Sequence, residues 1–143
     1  MAVSGLRHTG IVVPDLDEAL SFYRDLLGFK VERRMEEGGE YLSRILGEEN
    51  ITATTVKMSV PGGGMVELLH FPDHLGGPGL VDLVSPGPTH IALTVTNLDA
   101  LYARMTDQNV PFKSHPVLSP DGNVKIAFCQ SPDGTFVELV EEL

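Results

Sequence analysis

The feature that most constrains the fold is that the sequence repeats itself. The segment "HTGIVVPDLDEAL", from His8, matches "HIALTVTNLDALY", from His90, at an offset of 82 residues. The segment "PGGGMVELL", from Pro61, matches "PDGTFVELV", from Pro132, at an offset of 71 residues. Because the two matches occur in the same order and open and close each half, they indicate a duplicated module rather than two coincidences.

Both halves show the same predicted order of elements, which is a strand, a helix and three further strands. Asp15 followed by Glu18 resembles a capping box at the start of the first helix, and Gly28 is a suitable residue to end it. Asn97 can cap the second helix in the same way. The alternation of apolar and polar residues predicts strands near residues 7–13, 29–35, 51–60 and 65–71, and again near 89–95, 111–117, 124–130 and 135–141.

The chain length allows one domain built from the two modules. We expect module 1 to cover about residues 6–71 and module 2 about residues 89–143. The segment between them, about residues 72–88, is rich in Gly and Pro and is predicted to be a linker. The predicted fold class is therefore α+β, with a single domain over residues 1–143.

Charge and cysteine content exclude several classes of function. The chain has 10 Lys and Arg against 20 Asp and Glu, for a formal net charge of −10. With no basic run, binding to nucleic acid or to a membrane surface is not expected. The single cysteine, Cys129, and the absence of a long apolar run favour a cytoplasmic protein, and "IAFCQ" predicts that this cysteine lies in a buried strand.

The repeat includes four residues that can bind a metal ion. His8 and His90 open the first strand of each half, and Glu67 and Glu138 lie in the last strand of each half. Period-two alternation places each glutamate on one strand face with bulky apolar neighbours, where an unpaired charge costs several kcal/mol. A divalent cation would compensate both carboxylates together. The alternative is that both His–Glu pairs are structural ion pairs inherited from the duplication.

Two long segments carry a family resemblance that covers nearly the whole chain. "LRHTGIVVPDLDEALSFYRDLLGF" and "SPDGTFVELVE" resemble the opening and closing signatures of the vicinal oxygen chelate superfamily. The resemblance implies two tandem βαβββ modules that form a cupped, half-barrel mixed sheet with helices on the outside. It also implies one divalent ion, of Ni, Co, Zn, Mn or Fe, at His8, Glu67, His90 and Glu138.

The resemblance is strongest to glyoxalase I and methylmalonyl-CoA epimerase, and it implies a lyase or isomerase. Such enzymes chelate a small substrate through neighbouring oxygens while a carboxylate moves a proton, which here is a role for Glu138 or Glu67. Bacterial glyoxalase I carries an arginine and an asparagine for glutathione at positions that are Val12 and Phe71 in this chain. We therefore expect a small-molecule substrate other than a glutathione conjugate. We also expect the enzyme to be a homodimer.

Two other functions stay open at this stage. An extradiol Fe(II) dioxygenase needs two histidines and one glutamate, and a non-catalytic drug-binding protein of the bleomycin-resistance type generally lacks the four ligands. Candidate substrate-binding residues are Tyr41, Met58 and Phe128, each of which could instead belong to the ordinary core.

Overall fold

The computed structural model describes residues 2–74, 76 and 82–143. The chain forms two compact units, Met1–Gly77 and Pro78–Leu143. Part of the predicted linker, at residues 75 and 77–81, lies outside the described residues. Within the described ranges, no helix is long and apolar enough to cross a membrane.

Unit 1, Met1–Gly77, contains one open four-stranded sheet with the order β1-β4-β3-β2. Strands β1 and β4 pair in parallel, and the other pairs are antiparallel. Helix α1 continues directly as a π-helical segment, Ser21–Leu26. The elements of this unit are β1 (Thr9–Val12), α1 (Leu16–Leu20), β2 (Lys30–Glu37), α2 (Gly39–Leu46), β3 (Ala53–Ser59) and β4 (Met65–His70).

Unit 2, Pro78–Leu143, repeats this topology with the order β5-β8-β7-β6 and a parallel pair of β5 and β8. Each unit thus pairs its own first strand with its own last strand. The predicted α+β class and the tandem βαβββ modules are confirmed. The elements of unit 2 are β5 (His90–Thr94), α3 (Leu98–Asp107), β6 (Val117–Leu118), β7 (Val124–Gln130) and β8 (Phe136–Glu142).

The two faces of the sheet in unit 1 differ in burial. Helix α1 contacts β4, and its apolar stripe is buried. The sheet face that carries the core is made of buried apolar side chains, namely Ile11, Val56, Met58, Val66 and Leu68. On the opposite face Lys57 and Glu67 are partly exposed, whereas Ala53 and Thr55 are buried.

The helix ends are capped as the sequence predicts. The Asp15 side chain accepts a hydrogen bond from the Glu18 backbone N–H at 3.0 Å, and Gly28 has a φ of 79°. The Asn97 side chain accepts from the Ala100 N–H at 3.3 Å. In addition, the Glu141 carboxylate accepts from the N–H groups of Asn97 and Leu98, at 2.8 and 3.1 Å, so β8 provides a second cap for α3.

Two predicted stretches differ from the structure. The strand predicted at 111–117 is wrong, because β6 contains only Val117 and Leu118, and Phe112 forms just an isolated bridge to Cys129. The two prolines of this stretch, at positions 111 and 116, have no N–H to donate to a ladder. Helix α2 was not predicted, since it begins at a glycine and is preceded by another.

Candidate active site

In unit 1, the predicted His8–Glu67 pair comes together on one sheet face. Glu67 lies on β4 opposite Gly10 of the parallel strand β1, and His8 comes just before that strand. The His8 Nε2 atom lies 3.9 Å from Glu67 Oε1. The Glu67 side chain is only 13% exposed, so its charge needs a partner.

Lys57 is a third polar residue of this face that the sequence reasoning missed. It lies on β3 directly opposite Glu67, and its Nζ atom is 3.9 Å from Glu67 Oε2. The signal was present in the sequence, because "VKMSVPGGGMVEL" predicts a hairpin. Counting the same number of residues outward on each side of its glycine-rich turn pairs Lys57 with Glu67.

In unit 2, His90 and Glu138 form the equivalent pair. The register aligns Glu138 of β8 with Ala92 on one side and Phe128 on the other. The His90 Nε2 atom lies 3.7 Å from Glu138 Oε2, so the imidazole and carboxylate face each other as they do in unit 1.

The ring of His90 is held on two sides. Its Nδ1 atom and the Thr89 hydroxyl oxygen are hydrogen-bonded at 2.7 Å. Its edge meets the Phe128 ring at a centroid distance of 5.2 Å and an interplanar angle of 82°. These contacts fix the ring so that Nε2 is the nitrogen presented to Glu138, which suits a metal ligand whose other nitrogen is hydrogen-bonded.

The two pairs differ in what lies across from the glutamate. The offset of 71 residues that relates Glu67 to Glu138 also relates Lys57 to Phe128. Each of these two residues pairs with the glutamate of its own unit. The duplication has therefore placed a cation beside one glutamate and an aromatic ring beside the other.

The three predicted substrate-binding residues have different surroundings. Phe128 contacts His90 and shares the face of Glu138. Met58 is fully buried and pairs with Val66, on the sheet face opposite Glu67. Tyr41 lies on α2 and is 75% exposed. The structure thus brings only Phe128 together with a His–Glu pair.

Val12 and Phe71 occupy the two positions that the resemblance to glyoxalase I assigns to glutathione-binding residues. The Val12 side chain is exposed and offers no charge. Phe71 packs against a small apolar cluster of Leu42, Ile51 and Ala53. Ala53 lies on the same face as Lys57, so this cluster and α2 cover one end of the face that carries Glu67.

The donor atoms of each pair suit a divalent ion. Separations of 3.7 and 3.9 Å are too long for a hydrogen bond and are close to the roughly 3 to 3.5 Å between ligands of a Zn²⁺-sized ion bound at about 2.1 Å. Among the residues that the structure describes, no group of three or more His, Cys, Asp or Glu side chains could hold a metal ion. Each unit by itself supplies two donors, one imidazole nitrogen and one carboxylate.

Cys129 is confirmed as a buried residue of a strand. Burial raises the pKa of its thiol to about 12, so it is protonated at neutral pH and unsuited to nucleophilic catalysis.

Comparison with known proteins identifies the family. The Glyoxalase/Bleomycin resistance protein/Dioxygenase superfamily matches residues 5–139. The chain belongs to this superfamily. A probable lactoylglutathione lyase from Synechocystis sp. is 31% identical over 137 residues, which cover 95% of this chain and 94% of that protein.

Solved structures of the superfamily share the fold. A glyoxalase family protein from Bacillus cereus has a TM-score of 0.88 at 25% identity and covers 100% of this chain and 99% of its own. The fosfomycin resistance protein FosX from Listeria monocytogenes, solved with Mn(II) and sulfate, has a TM-score of 0.66 at 16% identity. It covers 99% of this chain and 94% of its own, and at this identity the likeness concerns the fold alone.

Proposed function

We propose that this protein is a divalent-metal-dependent lyase or isomerase that chelates a small substrate through two neighbouring oxygens. The observation that carries the proposal is the repeated His–Glu pair, in which Nε2 faces a carboxylate oxygen at 3.9 Å in unit 1 and 3.7 Å in unit 2. Both separations exceed hydrogen-bond distance and are close to the spacing of two ligands around one ion. The similarity to a probable lactoylglutathione lyase supports the same class of reaction.

The residues that would hold the ion are His8, Glu67, His90 and Glu138. A bound divalent ion would polarise the substrate oxygens and stabilise the negative charge that develops on them. Thr89 would keep the His90 ring oriented through Nδ1, leaving Nε2 for coordination.

Proton transfer in the proposed reaction belongs to one of the two glutamates, and we propose Glu138. Epimerase-like relatives implied by the resemblance keep a glutamate at this position and vary the other. Phe128 lies across from Glu138, so no ammonium competes for its carboxylate in that cross-strand position. Glu67, in contrast, has the Lys57 ammonium 3.9 Å away.

Metal content is the experiment that tests the proposal. Protein purified without chelator should contain one equivalent of Ni, Co, Zn or Mn per chain, measured by elemental analysis. Iron together with sensitivity to oxygen would favour an extradiol dioxygenase instead. Protein that binds no divalent ion after incubation with each of them would contradict the proposal and favour a drug-binding protein.

Lactoylglutathione lyase itself is the second candidate, because the named relative is a probable enzyme of that kind. The exposed Val12 and the packed Phe71 give a glutathione carboxylate no charged partner in these positions. We therefore predict that the hemithioacetal of methylglyoxal and glutathione is a poor substrate. A kcat/KM of about 10⁵ M⁻¹s⁻¹ or above for the metal-loaded protein would contradict this prediction and favour glyoxalase I activity.

We also propose that the enzyme is a homodimer, as the resemblance implies. Light scattering on the metal-loaded protein measures the mass in solution. A mass of one chain at micromolar concentration would contradict this assembly.

A further inference from the structure

A row of charged residues crosses the sheet of unit 1 beside the proposed site. The registers align Glu67 of β4 with Lys57 of β3, and Lys57 in turn with Arg33 of β2. Directly opposite residues of antiparallel strands lie on the same face, with Cβ atoms about 4.5 to 5.5 Å apart. Arg33 and Lys57 are therefore adjacent cations on the face that carries the His8–Glu67 pair.

Arg33 and Lys57 repel each other, and the Glu67 carboxylate near Lys57 balances only one of the two charges. Like charges directly opposite each other destabilise a strand pair. Several other cations of this acidic chain have a carboxylate close by, as in Arg24–Asp25, Lys30–Glu32 and Lys125–Asp99. Arg33, by comparison, has no carboxylate within 4.0 Å among the described residues, and the only carboxylate that Lys57 contacts there is Glu67.

The proposed function increases the imbalance. When the Glu67 carboxylate binds the metal ion, its negative charge is shared between the ion and the Lys57 ammonium. Two neighbouring cations with donors directed to one face suit a small oxyanion, which a guanidinium and an ammonium bind through charge-assisted hydrogen bonds.

We propose that Arg33 and Lys57 form an anion subsite for the substrate, and that the substrate is a small oxo or hydroxy acid with a second, distal carboxylate. The inference rests on the proposed function, since the chelating oxygens define the other end of the substrate. Lys57 and Arg33 act as specificity-determining residues that distinguish a dicarboxylate from a monocarboxylate of the same length.

Two ligands that differ only at the distal end test the subsite. 2-Oxoglutarate and 2-oxopentanoate have the same chelating end, but the first ends in a carboxylate and the second in a methyl group. Isothermal titration of the metal-loaded wild type should show 2-oxoglutarate binding about tenfold tighter or more, as expected for charge-assisted contacts on a partly exposed face. Lys57→Gln and Arg33→Gln should each reduce this ratio to less than about threefold, because each weakens the binding of 2-oxoglutarate more than that of 2-oxopentanoate.

Arg34→Gln is the matched control. Arg34 is adjacent in sequence and carries the same charge, but it pairs with Val56 and so lies on the opposite face. It should keep the wild-type ratio, which separates a local contact from the general effect of removing a positive charge. Circular dichroism verifies that each variant is folded.

The outcomes distinguish the subsite from the proposed function. Equal binding of the two ligands by the wild type, or a preference that survives in both Lys57→Gln and Arg33→Gln, would overturn the subsite while chelation stands. Failure of both ligands to bind the metal-loaded protein would overturn this substrate class. Metal content, measured separately, decides the proposed function whichever ratio is found.

Discussion

Glu138 and Glu67 are equivalent residues of the two units, yet their cross-strand neighbours are an aromatic ring and an ammonium group. Replacing each by glutamine separates coordination from proton transfer, since an amide oxygen can still bind a metal but cannot accept a proton at neutral pH. Glu138→Gln should keep the metal and lose activity by a factor of roughly 10² to 10⁴, the usual contribution of a positioned general base.

Glu67→Gln is the comparison for this variant. Glu67→Gln should also keep the metal, and its activity should fall by less than that of Glu138→Gln. Wild-type turnover in Glu138→Gln with an inactive Glu67→Gln would reverse the assignment. Activity in both would mean that another residue transfers the proton.

The histidines are predicted to act through coordination alone. His8→Ala and His90→Ala should each lose the metal, because a methyl group offers no donor in the vacated position. His70→Ala is the control, since the His70 Nδ1–H donates to the Val13 carbonyl oxygen at 3.1 Å and its strand position is on the other face from Glu67. Elemental analysis should find the metal in the His70 variant only, and metal retained by His8→Ala or His90→Ala would remove that residue from the proposed ligand set.

At the scale of the elements, prediction succeeded where local pattern decides structure. The strand predicted at 124–130 is β7 itself, because its apolar composition and the turn at Gly122 are both typical of a strand that follows a tight turn. The strand predicted at 111–117 was wrong because apolar residues there are interrupted by prolines. Helix α2 was missed because its N-terminal glycines have low helix propensity, and it is stabilised instead by burial of Leu42 against Ile51 and Ala53.

The same reasoning explains which site residues were found. Comparison of the two halves reveals only residues that both have kept, so it found the histidines and glutamates. Lys57 differs from its counterpart Phe128, and Arg33 lies outside the two matching segments, so the comparison revealed neither residue. Their alignment with Glu67 became evident from the strand register.

The cap that β8 provides for α3 is predicted to stabilise the second unit. Glu141→Ala removes the acceptor for the Asn97 and Leu98 N–H groups and should lower the free energy of unfolding by about 1 kcal/mol. Glu142→Ala, a neighbouring exposed residue, is the control and should leave it unchanged within about 0.5 kcal/mol. Urea unfolding followed by circular dichroism measures both, and equal stability of the two variants would contradict the role of the cap.

At the scale of the whole molecule, the proposed ion links ligand binding to folding. A metal bound only by the native state stabilises it by RT ln(1 + [L]/Kd), which is about 2.7 kcal/mol at a hundredfold excess over Kd. Chelator should therefore lower the melting temperature by several degrees, since 1 kcal/mol corresponds to roughly 2–4 °C in a domain of somewhat larger size. Unchanged melting of protein shown to be free of metal would leave two structural His–Glu ion pairs as the better explanation.

The difference between Lys57 and Phe128 also bears on stereochemistry. Under the proposed function, two identical units would let a substrate chelated by the ion bind equally well in either direction. A cation opposite one glutamate and an aromatic ring opposite the other remove this equivalence. Under the proposed function the substrate has one preferred direction, so a single prochiral face meets the base and the product should be one enantiomer.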